Sequence, residues 1–228
     1  MAHMSSGDGP GIQTPDGCSV NLYRQLPYLG EIEDIAHHLR RHKSALELGC
    51  GTGRLCGRLQ ELGLHATGVD ESEEMLTHLP AGVESINSTI EALDLARRWP
   101  AVLLPSHLIN HPNPSTRRTF AEVARRHLND DGCFYVKRHS PRWLSTVEQG
   151  KIGESSGIAL YADEIARNGN LVSMTIQYST PEHVWTQTFT TCALDQQEIE
   201  SLLSSCGFRG FEWFGSEALW VAASPSDA

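Results

Sequence analysis

Three glycines in one short loop are the first residues of this sequence that suggest chemistry. Gly49, Gly51 and Gly53 alternate within the stretch ALELGCGTGRL, after an apolar run and before a helical pattern. Glycine in a loop indicates a backbone with positive φ or the close approach of another group. A strand, a glycine loop and a helix in this order gather backbone N–H groups at the start of the helix, which suits a nucleotide-like ligand. A tight turn without a ligand is the alternative.

Two carboxylates favour the ligand over the bare turn. Glu47 lies in the apolar run itself, where an unpaired acid would be costly. Asp70 ends the next predicted strand, 17 residues beyond Gly53, and can bridge both hydroxyls of a ribose. The spacing G-x-G-x-G differs from the dinucleotide pattern G-x-G-x-x-G, because Arg54 stands where the last dinucleotide glycine would be. The loop therefore favours a ligand without a pyrophosphate.

The elements that position these residues alternate between strands and helices. Five strand patterns with helical patterns between them indicate a parallel sheet covered on both faces. After Pro141 the pattern changes to three segments, 158–166, 170–179 and 183–192, which predict antiparallel strands with an Asn-Gly turn. A capped helix and two strands follow. The predicted fold is α/β: a doubly wound, Rossmann-like, seven-stranded, mostly parallel sheet with the last strand antiparallel, plus a small antiparallel β insertion before the last helix.

These changes of pattern divide the chain into four predicted regions. Residues 1–19 are rich in Gly, Pro, Ser and Asp and are predicted to be a flexible N-terminus, which includes MAHM as a tag remnant. Residues 20–43 are predicted to form an N-terminal lid and helix. Residues 44–156 and 194–228 form the predicted ligand-binding core, and residues 157–193 the β insertion.

The composition limits the function classes. A formal net charge of −10 over 228 residues and a pI near 5.5 disfavour a nucleic-acid partner. No apolar run approaches the roughly 20 residues that span a bilayer, and no targeting pattern is recognisable, so we predict a cytoplasmic protein without a membrane partner. The six cysteines are scattered without a C-x-x-C pair, which indicates reduced thiols and disfavours a zinc site.

Two segments together resemble a known family. ELGCGTG followed by GVDESEEML is similar to the first and second motifs of class I S-adenosylmethionine-dependent methyltransferases. The resemblance covers residues 31–139 and 194–224, and this pair of motifs is specific for the cofactor type. It implies S-adenosyl-L-methionine as the cofactor, S-adenosyl-L-homocysteine as its product, and a core that binds them.

The resemblance also implies roles for individual residues. Glu47 should hold the methionine ammonium and Asp70 the ribose hydroxyls. NSTIEALDL stands where the family has a Gly-Asp-Ala-like turn, so Thr89 is the implied adenine contact, with the N–H of Ile90 as the alternative. The remaining implied cofactor residues lie in the glycine loop, at the adenine face or after strand four: Gly49, Cys50, Gly51, Gly53, Glu71, Met75 and Ser106.

Histidines follow strands four and five, at the sheet edge where ligands of doubly wound folds gather. Methyl transfer to an acceptor that carries a proton benefits from a general base, and histidine titrates near neutrality. His107 and His139 are the predicted bases, and a substrate-orienting or packing role is the alternative for each. Tyr23 resembles a residue of the N-terminal lid in small-molecule methyltransferases. It is predicted either to approach the transferring methyl or the cofactor carboxylate, or to pack within the lid.

The acceptor site is predicted from side chains around the same edge. The predicted acceptor-binding residues are Tyr28, His111, Arg138, Trp143 and Tyr161. Lys137 and Arg138 both suit an anionic acceptor, but alternate strand positions face opposite ways, so at most one faces the site. PSHL stands where amino-methylating nucleic-acid enzymes have a D/N-P-P-Y/F tetrad, which favours a small-molecule acceptor. Asp130 and Asp131 precede strand five, at the wrong end of the sheet, so no metal is predicted.

The leading hypothesis is a methyltransferase that acts on an O, N or C of a small molecule. The insertion before the last helix resembles small-molecule enzymes such as the sugar amino-methyltransferases, which suggests bacterial secondary metabolism. One alternative is an enzyme of the same fold that uses the sulfonium electrostatically in a rearrangement. Another is a non-catalytic, cofactor-binding regulatory subunit. The chain is predicted to be a monomer or a homodimer.

Overall fold

The computed structural model describes residues 5–226, so the predicted remnant MAHM lies outside the described residues. The strands in chain order are β1 (Ser6–Asp8), β2 (Ser44–Leu48), β3 (His65–Asp70), β4 (Glu84–Asn87), β5 (Trp99–Leu104), β6 (Leu128–Lys137), β7 (Gly150–Ser155), β8 (Ile158–Asn168), β9 (Leu171–Ser179), β10 (Val184–Cys192), β11 (Phe208–Phe214) and β12 (Trp220–Pro225). The α-helices are α1 (Val20–Tyr23), α2 (Ala36–Leu39), α3 (Arg54–Glu61), α4 (Glu73–Leu76), α5 (Pro114–Arg126), α6 (Pro141–Thr146) and α7 (Gln196–Ser205). Short 3-10 helices cover Glu33–Ile35 and Leu108–Asn110.

The chain divides into two compact units. One comprises Tyr28–His139 and Leu194–Ala228, and the other comprises Met1–Pro27 and Ser140–Ala193. We call them the sheet unit and the insertion unit. This division differs from the predicted regions, because the insertion unit begins at Ser140 and not at residue 157, and because it includes the N-terminal segment.

The sheet unit contains a seven-stranded sheet in the order β11-β12-β6-β5-β2-β3-β4. The pairs β2–β3, β2–β5, β3–β4 and β5–β6 are parallel, whereas β12 is antiparallel to β6 and β11. This is the predicted doubly wound fold. The strand order reverses at β2, whose neighbours are β3 and β5, so a ligand crevice is expected at the carboxyl ends of these strands.

Apolar side chains and helix caps hold the sheet unit together. Ala45 and Leu103 of the sheet pack in one fully buried cluster with Leu39 of α2 and Leu59 of α3. The Asn113 side chain caps α5, since it accepts a hydrogen bond from the N–H of Ser115. Asp195 and Glu198 form a capping box at the start of α7. Of the helices in the described part of the chain, none is long and apolar enough to cross a membrane.

The insertion unit contains a five-stranded antiparallel sheet in the order β1-β10-β9-β8-β7. The three predicted segments correspond to β8, β9 and β10. Both edge strands, β1 and β7, escape prediction because SGD and GKIGES carry no apolar alternation. β1 pairs with β10, which is distant in sequence, and β7 pairs with β8 through a connection without a recognisable turn.

Residues 5–19 differ from the flexible terminus that their composition predicts. A Cβ atom at Gly7 would overlap the carbonyl oxygen of Gly17, so glycine allows these two chain segments to lie side by side. The hydroxyl of Thr14 accepts a hydrogen bond from the N–H of Cys18 at 2.9 Å. The indole N–H of Trp185 donates to the carbonyl of Pro10 at 2.9 Å. Turn-forming residues therefore build an ordered segment at the edge of the antiparallel sheet.

Candidate functional site

The glycine loop lies between β2 and α3, at the carboxyl edge of the sheet. Gly49, Gly51 and Gly53 adopt φ values of +74°, +54° and +79°, the left-handed region that favours glycine. A Cβ atom at Gly49 would lie 2.7 Å from Cδ1 of Leu108, so a side chain here would require the Leu108 side chain to move. The sequence prediction of a loop that needs glycine for its conformation and for close approach agrees with this geometry.

Asp70 is fixed beside this loop by backbone N–H groups. Its Oδ2 accepts a hydrogen bond from the N–H of Gly51 at 2.7 Å, and its Oδ1 accepts one from the N–H of Ser72 at 3.0 Å. The first bond connects the end of β3 to the glycine loop after β2. Each carboxylate oxygen can accept further hydrogen bonds, so the group is oriented for a ligand that carries hydroxyl donors.

Glu47 is buried beneath the same loop. Its side chain is 2% exposed, and the thiol of Cys56 donates a hydrogen bond to Oε2 at 3.0 Å. Burial raises the pKa of this carboxyl group to about 8, whereas the nearby Arg54 guanidinium acts in the opposite direction. A buried acid at the carboxyl end of β2 is suited to a cationic ligand group, which would stabilise its ionised form. Cys56 is a partner that the sequence analysis missed.

The two predicted base histidines lie against each other. The rings of His107 and His139 stack with centroids 3.8 Å apart and an interplanar angle of 9°. Ser106 and His107 both have positive φ, +56° and +61°, an uncommon backbone at the end of β5. The buried side chain of Asn110 accepts a hydrogen bond from the N–H of His139 at 2.8 Å and thereby joins the two segments.

Both rings are neutral at pH 7. Burial, together with the charge of Lys137, lowers the pKa of His139 to about 4. Burial is also the main cause that lowers the pKa of His107 well below its ordinary value, and His139 and Lys137 add to it. An unprotonated imidazole is the form that can accept a proton.

Arg138, a predicted acceptor-binding residue, has its guanidinium donors occupied by backbone carbonyl groups. Its side chain is buried, and its guanidinium donates to the carbonyl oxygens of Leu194, Ala218 and Glu217 at 2.9, 2.9 and 3.4 Å. The same group lies 4.9 Å from the ring centroid of Trp213. Arg138 directly follows β6, and strand alternation places its side chain on the opposite face from Lys137. Its donors are used within the sheet unit, so these contacts stabilise the fold, and an acceptor role for Arg138 stays a prediction.

We therefore expect Arg138→Ala to lower the free energy of unfolding by about 3 kcal/mol, because buried carbonyl groups lose their donors. Binding of S-adenosylhomocysteine to the folded protein should stay within twofold of wild type. Urea unfolding and calorimetry measure the two effects, with the exposed Arg40→Ala as the matched control. A large rise in the KM for the methyl acceptor at unchanged stability would support the predicted acceptor-binding role.

The predicted adenine side is partly exposed. Thr89 is exposed, and its hydroxyl accepts a hydrogen bond from the N–H of Ala92 at 3.2 Å. Within residues 5–226 the N–H of Ile90 has no hydrogen-bond partner, so it is available for a ligand nitrogen. Glu71 is exposed, whereas Met75 is 2% exposed. The roles of these four residues remain predictions.

Two predicted acceptor residues of the sheet unit have structural partners. The Tyr28 hydroxyl donates to Glu33 Oε1 at 2.8 Å, and the Arg58 guanidinium lies 5.8 Å from its ring centroid. His111 Nδ1 accepts a hydrogen bond from the N–H of Asn113 at 3.1 Å, just before α5. Both contacts orient the side chains for local structure, and neither tests an acceptor role.

The remaining predicted site residues belong to the insertion unit. The Cys18 thiol donates to the Tyr23 hydroxyl oxygen at 3.1 Å, and burial raises the pKa of this tyrosine well above its ordinary value. Tyr23 is therefore protonated at neutral pH, which excludes a phenolate base. Trp143 packs against the apolar cluster of the unit, and Tyr161 lies partly buried on β8. Among residues 5–226 no group of three His, Cys, Asp or Glu side chains is arranged for a metal ion.

Comparisons with known proteins agree with the methyltransferase resemblance found in the sequence. Residues 45–132, which contain the glycine loop and Asp70, match a family model described as a methyltransferase domain. A curated protein of Geobacillus sp. (strain WCH70), named as a methyltransferase, is 31% identical over 149 residues. That match covers 59% of this chain and 60% of the relative, so it spans less than two thirds of the relative's length.

Solved structures share the fold over nearly the whole chain. The sugar N-methyltransferase KedS8 from Streptoalloteichus sp. ATCC 53650 superposes with a TM-score of 0.73 at 19% identity, over 99% of this chain and 100% of that one. CalS10 from Micromonospora echinaspora, an amino pentose methyltransferase involved in calicheamicin biosynthesis that was solved with bound S-adenosylmethionine, has a TM-score of 0.69 at 17% identity. That superposition covers 90% of this chain and 95% of CalS10.

Proposed function

Because the chain carries a methyltransferase domain with the class I fold, we propose that it is an S-adenosylmethionine-dependent methyltransferase that acts on a small molecule. The observation that carries the proposal is the position of Asp70. Backbone N–H groups of the glycine loop and of the segment after β3 orient its carboxylate, which supports the ribose-binding role that the resemblance to the family implies. The dinucleotide pattern would instead have a third glycine at Arg54, where the helix packs closely against the strand.

The residues present fit this cofactor at each end. Glu47 offers a buried carboxylate to the methionine ammonium, and Asp70 offers one to the ribose hydroxyls. The open N–H of Ile90 suits an adenine nitrogen. When bound, S-adenosylmethionine supplies an electrophilic methyl group on a sulfonium. The protein's own contribution is to orient an acceptor toward that methyl group and to exclude water.

His107 is the residue that we propose as general base for an acceptor that carries a proton. It lies at the carboxyl end of β5 with a neutral imidazole, and the stacked ring of His139 limits its movement. The positive φ values of Ser106 and His107 are typical of strained backbone at functional sites. His139 is then the positioning residue of the pair.

The proposal is tested by incubating the protein with methyl-labelled S-adenosylmethionine and a panel of hydroxyl and amine metabolites. We expect a labelled product and one S-adenosylhomocysteine for each product molecule. A product formed without S-adenosylhomocysteine would favour the electrostatic rearrangement. Tight cofactor binding with turnover only in the presence of a second protein would favour the regulatory subunit. Absence of cofactor binding would overturn all three.

The ionisation of Glu47 leads to a separate prediction, that ligand binding releases a proton. At pH 7 its carboxyl group is protonated because its pKa is about 8, but an ammonium ligand requires the ionised form. Binding of S-adenosylhomocysteine should therefore release about one proton, and the affinity should rise up to tenfold per pH unit between pH 6 and 7.5. Calorimetry in buffers of different ionisation enthalpy measures this release. Glu47→Gln should abolish it, and no proton release from the wild type would contradict the role of Glu47.

The proposed function also includes the metabolic setting of the acceptor and the oligomeric state of the protein. The fold shared with KedS8 and CalS10 supports a natural-product acceptor in bacterial secondary metabolism, with an O, N or C as the methylated atom. Cytoplasmic localisation and a monomeric or homodimeric state stay predictions from the sequence. Light scattering of the purified protein distinguishes monomer from dimer.

A further inference from the structure

Lys137 is a cation at the ligand edge that the proposed mechanism does not use. It is the last residue of β6 and pairs with Trp220 of β12. The sheet register aligns Glu47 with Leu103, and Leu103 with Tyr135. Lys137 is two residues beyond Tyr135. It therefore lies on the same face of the sheet as Glu47 and closer to the carboxyl edge.

The Lys137 ammonium is poorly compensated. It lies 5.7 Å from the ring centroid of Trp220 and donates one long hydrogen bond, 3.4 Å, to the carbonyl oxygen of Glu31. In the described part of the chain no carboxylate oxygen lies within 4.0 Å of it. Burial lowers the pKa of this lysine, which shows the cost of holding the charge there. A partly buried cation without a carboxylate partner favours an anionic ligand group.

The neighbouring Arg54 differs from Lys137 in this respect. Its guanidinium forms an ion pair with the Glu31 carboxylate, and its charge acts on the buried Glu47 at the implied methionine end. The charges of Glu31, Asp34 and Arg54 act on Lys137, but Arg54 already has the Glu31 carboxylate as its ion-pair partner. The charge of Lys137 also acts on His107 and His139, where the acceptor's proton would be removed, and His139 follows Lys137 by two residues. These two relations favour the acceptor side for Lys137.

We propose that Lys137 binds an acidic group of the methyl acceptor, so that the preferred substrates of this protein carry a carboxylate near the methylated atom. The inference rests on the proposed methyltransferase function and narrows its substrate class. Of the two adjacent cations considered from the sequence, Arg138 has its donors used within the fold, and Lys137 is left for the ligand.

A spectroscopic test is practical because the chain has three lysines: Lys43, Lys137 and Lys151. Reductive ¹³C-dimethylation keeps their charge and gives each one an NMR signal, which Lys→Gln variants assign. In protein saturated with S-adenosylhomocysteine, we expect acetate to shift the Lys137 signal and to raise the pKa of its amine by about 1. Acetamide and chloride at equal concentration should leave it unchanged. The exposed Lys43 should respond to none of them.

Matched variants complete the test. Lys137→Gln should weaken acetate binding at least tenfold, Lys137→Arg should retain it, and Lys43→Gln should have no effect. The control ligand is 5′-methylthioadenosine, which lacks the amino-acid tail of S-adenosylhomocysteine. If the Lys137 signal moves with S-adenosylhomocysteine but not with this control, Lys137 binds the cofactor carboxylate and the proposal is overturned. No response to acetate would overturn it as well. Calorimetry of S-adenosylhomocysteine in the same samples reports separately on the proposed function.

Discussion

Replacement of Asp70 by alanine is expected to weaken binding of S-adenosylhomocysteine by about 100-fold. Charge-assisted hydrogen bonds contribute about 1.5–3 kcal/mol each, and this carboxylate is placed to accept two from a ribose. Its removal also leaves the N–H groups of Gly51 and Ser72 without their acceptor, so the glycine loop loses one of its contacts with β3, while the N–H groups of Gly49 and Cys50 still donate to the carbonyl oxygen of Val69. Isothermal calorimetry on the folded variant measures the affinity, and turnover should fall in parallel at subsaturating cofactor.

Controls separate the ribose contact from the loop. Asp70→Asn keeps one carbonyl acceptor without the charge, so an intermediate loss is expected. A cofactor analogue without the ribose hydroxyls should bind Asp70→Ala and wild type with similar affinity if the loop stays intact. The exposed Asp131→Ala is the matched control and should bind normally. Unchanged affinity of Asp70→Ala for S-adenosylhomocysteine would contradict the assignment of the cofactor site.

The glycine loop and the position of Asp70 could be predicted from the sequence because their geometry is local. Gly49, Gly51 and Gly53 lie within one loop, and Asp70 ends the strand that pairs with β2, so a short stretch of chain fixes their arrangement. The alternation of strands and helices likewise determines a doubly wound sheet. In these places the local sequence pattern and the tertiary fold favour the same structure, so the structure can be predicted from the sequence.

Contacts between distant segments could not be predicted in the same way. His107 and His139 follow different strands, and only the folded sheet shows that their rings stack. The period of a strand indicates that Lys137 and Arg138 face opposite ways, but not which of them faces the ligand edge. The strand at Ser6–Asp8 has the composition of a turn and depends on its pairing with β10. Tertiary contacts override local composition in this segment.

Replacement of His107 by phenylalanine is expected to lower kcat by 10²–10⁴-fold for an acceptor that carries a proton, the range that a general base contributes. His139→Phe keeps a stacked aromatic ring without a titratable nitrogen, so a loss below tenfold is expected. Single-turnover rates with labelled cofactor measure both variants, and cofactor affinity serves as the check that the site is intact. The opposite ranking would make His139 the base.

The pH dependence of the same reaction tests the pair independently. The active base is the unprotonated imidazole, so activity is lost only as the pH falls through the lowered pKa of the folded protein. That pKa is about 4 for His139 and is well below the ordinary value for His107. The acid limb of kcat should therefore lie well below 6.5, the pH at which a solvated histidine titrates. An acid limb near 6.5 that persists in both variants would show that these histidines pack together without taking part in proton transfer.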